Sequence, residues 1–456
     1  MSKLIPDIFE DVFGPVMQPG SSSHTAGPCK IGNEARKLVK GKLKKILIQL
    51  DANGSFAGTF GHMNEDIGML AGAYGLLPDD EKMFDIKKIL EREDIDYEFE
   101  YVTLKNKHPN AVRFILTDED NKEYSLEGNS IGGGRIEIVS INEERVKEEI
   151  KEEKIQLFDS FDSWIKESKA ANENLYETSL RYEVLLSGES REKVIEKMRD
   201  RRHLMELETE APHVNPDGII ETPFSGYHFR KWDKYIEEGK SIQSDINTRI
   251  LKYVFNVQAL TKGVKLVPGP MGTGGGFLYS TIRAFAEDKH IDEDKIVESL
   301  FVAAGVGIIA YSKSDPTGEI TGCAGECGVC QAMTAAAITY LEDGTSKEIE
   351  NAASLALQSS LGWACDPIPG GDNQPCLSRF VTSSIMAITF ADLALSGRSA
   401  VVPFDEVIEV MDRMGKEMPQ KYKCTSEGGI CESPCAINCK KKYNDWFNKK
   451  EQEKKQ

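Results

Sequence analysis

Residues 141–156 read INEERVKEEIKEEKIQ, and ten of the sixteen are charged. A run like this stays in water, so it reads as a solvated helix or linker that separates two folding units. The hydrophobic pattern differs in kind on its two sides. Before it, KKILIQLD (44–51), YEFEYVTL (97–104), AVRFILTD (111–118) and RIEIVSI (135–141) alternate and are rich in β-branched and aromatic residues. These four runs predict strands. MNEDIGMLAGAYGLL (63–77) and DIKKILERE (85–93) predict helices between them. After it the strand signal is scarce. EKVIEKMRDRRHLMELE, DINTRILKYVFNVQALTK, DEDKIVESLFVAAGVGIIAY, QAMTAAAITYLE, SLALQSSLGWA, SSIMAITFADLAL and FDEVIEVMDRMGKEM all suit helices. Several are apolar all round, which predicts central helices in an all-α core. The fold class expected is an α+β N-terminal domain followed by an all-α C-terminal domain. The expected bounds are 1–142 for the small domain, 143–170 for the charged linker, 171–440 for the helical domain and 441–456 for a polar, fraying tail.

A net charge of −18, with no basic patch outside the tail, argues against nucleic acid and anionic membrane as partners. The N-terminus lacks the apolar core of a signal peptide, and the strongest apolar run, 300–311, is short for a bilayer. A soluble, cytoplasmic protein is the expectation. Cysteine use is then informative, because disulfides are rare in a reducing compartment. Cys29 stands alone; the other nine of the ten cysteines lie beyond residue 320. Such clustering leans toward metal or catalysis.

Three polar stretches interrupt the first part. PGSSSHTAGP (19–28) sets Ser21, Ser22, Ser23, His24 and Thr25 in a row. Hydroxyls and free N–H groups there can cap a helix, receive a small carboxylate, or do both. TFGHMNED (59–66) places His62 at a helix start, where a lone histidine is more often structural than catalytic. EGNSIGGGRI (127–136) puts three glycines before a strand, which signals a tight turn or close backbone approach. In the second part PGPMGTGGGF (268–277) can cradle a phosphate, although a glycine-rich loop alone is a weak signal. GCAGECGVC (322–330) has the C-x3-C-x2-C spacing of enzymes that cleave S-adenosylmethionine, and CDPIPGGDNQPC (365–376) holds two more cysteines. KCTSEGGICESPCAINC (423–439) spaces Cys431, Cys435 and Cys439 by four, one stripe if helical.

Together these stretches resemble the iron–sulfur-dependent L-serine dehydratases. SSSHTAGP, the GH of FGHM, HPN (108–110) and NSIGGGRIEIV match the small part of that family. GCAGE, CDPIPGGDNQPC and MGKEMPQKYKCTSEGG match its helical part in order and spacing. The resemblance implies a small domain similar to the allosteric substrate-binding domain of phosphoglycerate dehydrogenase, fused to a helical domain that holds a [4Fe-4S] cluster. By motif the cluster ligands are Cys323, Cys365 and Cys376. Cys327 and Cys330 fall outside the shared pattern, which turns the nine-residue motif away from S-adenosylmethionine chemistry.

What the resemblance implies chemically is deamination of L-serine to pyruvate and ammonia. Three thiolates leave one iron open as a Lewis acid for the β-hydroxyl. An imidazole suits removal of the Cα proton, and His62 is the expected base. His24, with Ser21, Ser22, Ser23 and Thr25, is expected to orient the substrate and hold its carboxylate, and Asn129 and Gly133 join that substrate-binding set. The site is expected between the two domains, with L-serine the partner and a homodimer the assembly. Departures in ETPFSGYHFRKW and PGPMGTGGGF leave L-threonine or L-cysteine open as substrates. A pyridoxal phosphate enzyme, with GTGGG on the phosphate, and a non-catalytic amino-acid or redox sensor are the rival readings. The chain offers no distinctive Schiff-base lysine for the former.

Overall fold

The computed structural model describes residues 5–61, 63–146, 156–220, 223–224, 228–370 and 375–453. Alternation builds the sheet. In β1 (Leu43–Asp51), Ile46, Ile48 and Leu50 are buried while the residues between them are half-buried. β2 is Asp96–Val102, β3 Ala111–Asp118, β4 Glu123–Gly132, β5 Arg135–Ile141 and β6 Glu144–Arg145. Their order across the sheet is β2-β1-β3-β4-β5-β6; β1 and β2 are parallel and the other pairs antiparallel. The helices Gly27–Leu38 and Glu65–Tyr74 pack on each other and enclose a core of Ile31, Ile46, Ile48, Leu70, Val112 and Phe114. Fully burying side chains of this kind stabilises by about 1.5–3 kcal/mol each.

The four expected strands are present, and two more join them. β4 (EYSLEGNSIG) carries too much Gly, Ser and Asn to read as a strand, but it lies between β3 and β5, which satisfy its backbone on both edges. β6 falls inside the charged segment expected to be helical or unstructured. Asn142 and Glu143 take positive φ values of 49° and 67°, and this turn folds Glu144–Arg145 back onto β5. The segment therefore begins as a hairpin; 147–155 lie outside the described residues.

Beyond Phe161 the described residues are helical apart from isolated bridges. Glu293–Lys313 and Val329–Leu341, apolar nearly all round, form the buried centre. Two helices, Glu293–Lys313 and Cys376–Leu395, are long and apolar enough to cross a membrane, but the apolar stretch of the first is 89% buried inside the protein. The short run at 300–311 is thus the middle of a longer core helix. Ile8, Phe9, Val12 and Phe13, from the start of the chain, also belong to this helical core. The C-terminal segment is ordered as a helix, Pro434–Glu453, and Tyr443 Oη donates to the Gly61 carbonyl at 3.1 Å. Cys431 precedes that helix and donates to the Asp366 and Pro367 carbonyls, so Cys431, Cys435 and Cys439 do not form one helical stripe.

The β4–β5 turn is the docking point of the sheet. Gly132, Gly133 and Gly134 all have positive φ. A Cβ on Gly132 would sit 1.7 Å from Thr317 Cγ2, and one on Gly133 2.1 Å from Tyr311 Oη. Three glycines are needed both for the turn and for the approach of helical-part side chains.

Candidate active site at the seam of sheet and helices

The SSSHT run lies where the two parts meet. Ser21 caps the turn by accepting from the His24 amide at 3.2 Å, and Ser22–Ala26 lead directly into the Gly27–Leu38 helix. His24 is fully buried. Its Nδ1 lies 3.0 Å from Glu319 Oε1, a carboxylate of the helical part. Ser23 Oγ donates to the same oxygen at 2.7 Å. His24 Nε2 stands 2.9 Å from Ser55 Oγ, which donates to the Cys424 carbonyl at 2.8 Å. Burial works against the imidazolium, but the Glu319 and Glu65 carboxylates outweigh it and hold His24 above its ordinary pKa. Burial likewise opposes the Glu319 carboxylate; His24 and Ser23 prevail and lower it. The pair joins the two parts of the chain, each group favouring the charged form of the other.

The remaining expected substrate contacts are placed as follows. Ser22 Oγ donates to the Pro270 carbonyl at 3.2 Å, and Ser21 Oγ lies 3.3 Å from Ser23 Oγ. Thr25 Oγ1 donates to the Met63 carbonyl and accepts from the Ser21 amide. Asn129 is held by Asn106 and by Glu137, 2.8 Å away, and Gly133 packs on Tyr311. His62 lies outside the described residues. His108, from the HPN motif, is a further imidazole near the seam. Burial lowers its pKa, against the opposing charges of Glu319 and Glu137. Its Nδ1 accepts from the Asn110 amide at 3.1 Å, so neutral His108 carries its proton on Nε2 and presents a donor.

Across the seam stand the thiols. Gly322 has φ +68°, which turns the chain so that the Cys323 amide donates to the Trp363 carbonyl at 2.9 Å. This brings Cys323 beside the strand-like run that ends in Cys365. A Cβ at Gly322 would lie 2.4 Å from that carbonyl. Gly322→Ala should therefore lower stability by about 1–3 kcal/mol and reduce bound iron, read by thermal unfolding and iron analysis. The Cys323 and Cys327 sulfurs are 3.2 Å apart. Cys365 is tied to 422–424: its amide donates to the Tyr422 carbonyl at 2.8 Å, and the Cys424 amide to the Cys365 carbonyl at 2.7 Å. The thiols of Cys365 and Cys424 are near enough to shift each other's titration. Cys376 opens the Cys376–Leu395 helix, close enough to Cys323 and Cys424 for their charges to raise its pKa after burial has done so first. Cys330 stands apart, its thiol directed at the Gly274 carbonyl at 3.4 Å and pushed up to about 12 by burial.

Cys376 thus lies within electrostatic reach of both Cys323 and Cys365, with Cys327 beside the first and Cys424 beside the second. Cys424 Sγ, a His24 ring nitrogen and a Glu319 oxygen all lie within 4.8 Å of one another, a mixed N/O/S donor set that could hold a metal. Glu319 carried a sequence signal, since GEITGCAGE runs straight into the cysteine motif. Cys424 lies in the KYKCTSEGG stretch that resembles the family, whereas nothing in the spacing announced Ser55 or Arg379. The glycines of GTGGG do not form an open cradle. Gly274, Gly275 and Gly276 are buried in the first turn of Gly274–Lys289, where added Cβ atoms would meet Gly269, Val267 and Glu208 within 2.5 Å.

A sequence model of the serine dehydratase alpha chain matches residues 136–431, and the chain belongs to that family. It is a lyase of the ammonia-lyase class. It is 32% identical over 201 residues to the L-serine dehydratase alpha chain of Peptoniphilus asaccharolyticus, covering 44% of this chain and 69% of that one. Over 465 residues it is 25% identical to the L-serine dehydratase of Helicobacter pylori, covering 94% of this chain and 98% of the other. L-serine dehydratase 2 of Escherichia coli is 26% identical, with 93% and 97% covered. In these last two the likeness spans both the sheet and the helical part.

Proposed function

We propose that this chain deaminates L-serine to pyruvate and ammonia with the help of an iron–sulfur cluster. One observation carries the reading: thiols from four stretches of the helical part, buried except for half-buried Cys376, lie near a buried histidine of the sheet part that pairs with Glu319. The printed activities of the full-length relatives support the substrate.

The donor set fits a cluster. Burial first, and neighbouring sulfur second, push the Cys327 thiol well above its usual pKa. The neighbouring Cys424 thiol and then burial do the same for Cys365. Thiols raised in this way, Cys376 among them, keep their protons until a multivalent cation replaces them, whereas the Cys327 thiol lowers the pKa of Cys323. Cys323, Cys365 and Cys376 would hold the cluster, as the family motif implies. When bound it supplies an iron without a protein thiolate, a Lewis acid for the β-hydroxyl.

The rest belongs to the chain's own side chains. Against burial, Glu319 raises the pKa of His24, and both ring nitrogens have partners, so His24 is proposed to help orient the substrate, with the neighbouring hydroxyls, rather than to take a proton. Ser23 and Glu319 fix its Nδ1, and Ser55 fixes its Nε2. The SSSHT hydroxyls line the same turn. A neutral imidazole is required for the Cα proton, and His62 is the proposed base. Burial of the seam excludes water and strengthens each of these interactions.

Protein prepared without oxygen should form pyruvate from L-serine, with L-threonine and L-cysteine slower by at least about 10-fold. A preference for either alternative would reassign the substrate. A yellow protein inactivated by borohydride would replace the cluster by pyridoxal phosphate.

A further inference from the structure

Arg379 lies one turn into the helix that Cys376 opens. Its Nη2 donates to Asp366 Oδ1 at 2.7 Å. Asp366, the residue after Cys365, also accepts from the Ile430 amide at 2.8 Å, so the carboxylate is anchored from a separate stretch of chain. The other amino group, Nη1, is buried and has no hydrogen-bond partner among the described residues. The charge of the guanidinium reaches Cys323. The charge of Cys376 reaches the guanidinium as well. Arg379, one turn beyond Cys376 and anchored by the residue that follows Cys365, is thus a fixed cation with one unused donor beside the cysteine-bearing stretches.

We propose that Arg379 is a positioning residue of the metal centre: it donates an N–H···S bond to the Cys323 sulfur and sets the cluster's reduction potential and its resistance to oxidation. This rests on the cluster reading given above. The physics is that of a positive charge beside a redox centre. A nearby cation stabilises the more negative, reduced state, and hydrogen bonds to ligand sulfur act in the same sense. Removing the charge lowers the potential, so the resting cluster gives up electrons to oxygen more readily and falls apart sooner. Arginine suits the task because its planar fork serves Asp366 and the sulfur at once, which a lysine ammonium does less well.

The test compares wild type, Arg379→Gln and Arg379→Lys, purified as full-length protein without oxygen. Iron and sulfide are counted, the midpoint potential is read by electron paramagnetic resonance during dithionite titration, and bleaching is followed after exposure to air. Arg379→Gln should show a lower potential and bleach roughly 10- to 100-fold faster. Arg379→Lys, which keeps the charge, should hold a potential near wild type. A loaded Arg379→Gln with unchanged potential and bleaching would overturn the proposal, as would an equal shift in both variants, because shape rather than charge would then matter. If Arg379→Gln takes up no iron, Arg379→Lys decides. Loaded at the wild-type potential it supports the proposal; equally empty, it overturns it. Wild type lacking iron and sulfide would instead sink the cluster reading itself.

Discussion

Cys365→Ser should yield a folded, colourless protein without iron, sulfide or measurable turnover. The substitution is nearly isosteric, and the backbone bonds that tie Cys365 to Tyr422 and Cys424 do not use the thiol. Folding should therefore survive. A hydroxyl is a hard, weakly acidic donor and cannot replace a thiolate on iron. The loss should exceed the roughly 10–100-fold typical of changes one layer outside a metal site. Cys330→Ser is the internal control. It belongs to the same C-x3-C-x2-C spacing, but its thiol faces the Gly274 carbonyl. It should keep its iron and its activity. Equal loss in both variants would mean that the nine-residue motif acts as a unit and that the assignment of ligands is mistaken.

Glu319→Gln is expected to lower kcat/KM by roughly 100-fold at neutral pH. It should also move the alkaline limb of the pH profile to lower pH. Glu319 holds His24 above its ordinary pKa against burial. Without the carboxylate, burial prevails and His24 loses its proton earlier. Activity that needs the imidazolium then fails earlier as pH rises. The same pair stabilises the seam within a defined window. His24, with its pKa raised on folding, contributes stability below its unfolded value, and the contribution is lost as pH climbs through the folded value. Glu319, with its pKa lowered, contributes above its unfolded value and is lost as pH falls through the folded one. Wild type should therefore gain most over Glu319→Gln between those two limits. Thermal unfolding as a function of pH reads the difference. A constant difference across that range would show that the pair carries no charge.

The sheet was legible wherever alternation was strong, as in KKILIQLD and AVRFILTD. β4 was not, because EYSLEGNSIG has weak strand propensity and owes its conformation to β3 and β5 on either side. The charged segment misled for a related reason: two residues at positive φ turned its start into a hairpin, which composition does not reveal. In the site, local runs could be read and encounters could not. SSSHT announced a helix start, and the structure confirms that Ser21 caps it. Cys424 reaches Cys365 only through an isolated parallel bridge and a left-handed turn at φ +56°, neither of which leaves a pattern in the sequence. Arg379 likewise gains its meaning from Asp366, thirteen residues away and on the far side of a loop. GTGGG drew attention as a phosphate loop, but close packing accounts for its glycines.

The proposed chemistry requires an iron held by cysteines of the helical part and open toward the sheet part. Mössbauer spectroscopy of iron-loaded, oxygen-free protein addresses it directly, recorded with and without L-serine. One iron site should differ from the rest, and its signal alone should change when the amino acid is added. A protein that binds no iron, or a spectrum in which every iron is sulfur-capped and indifferent to L-serine, would contradict the account.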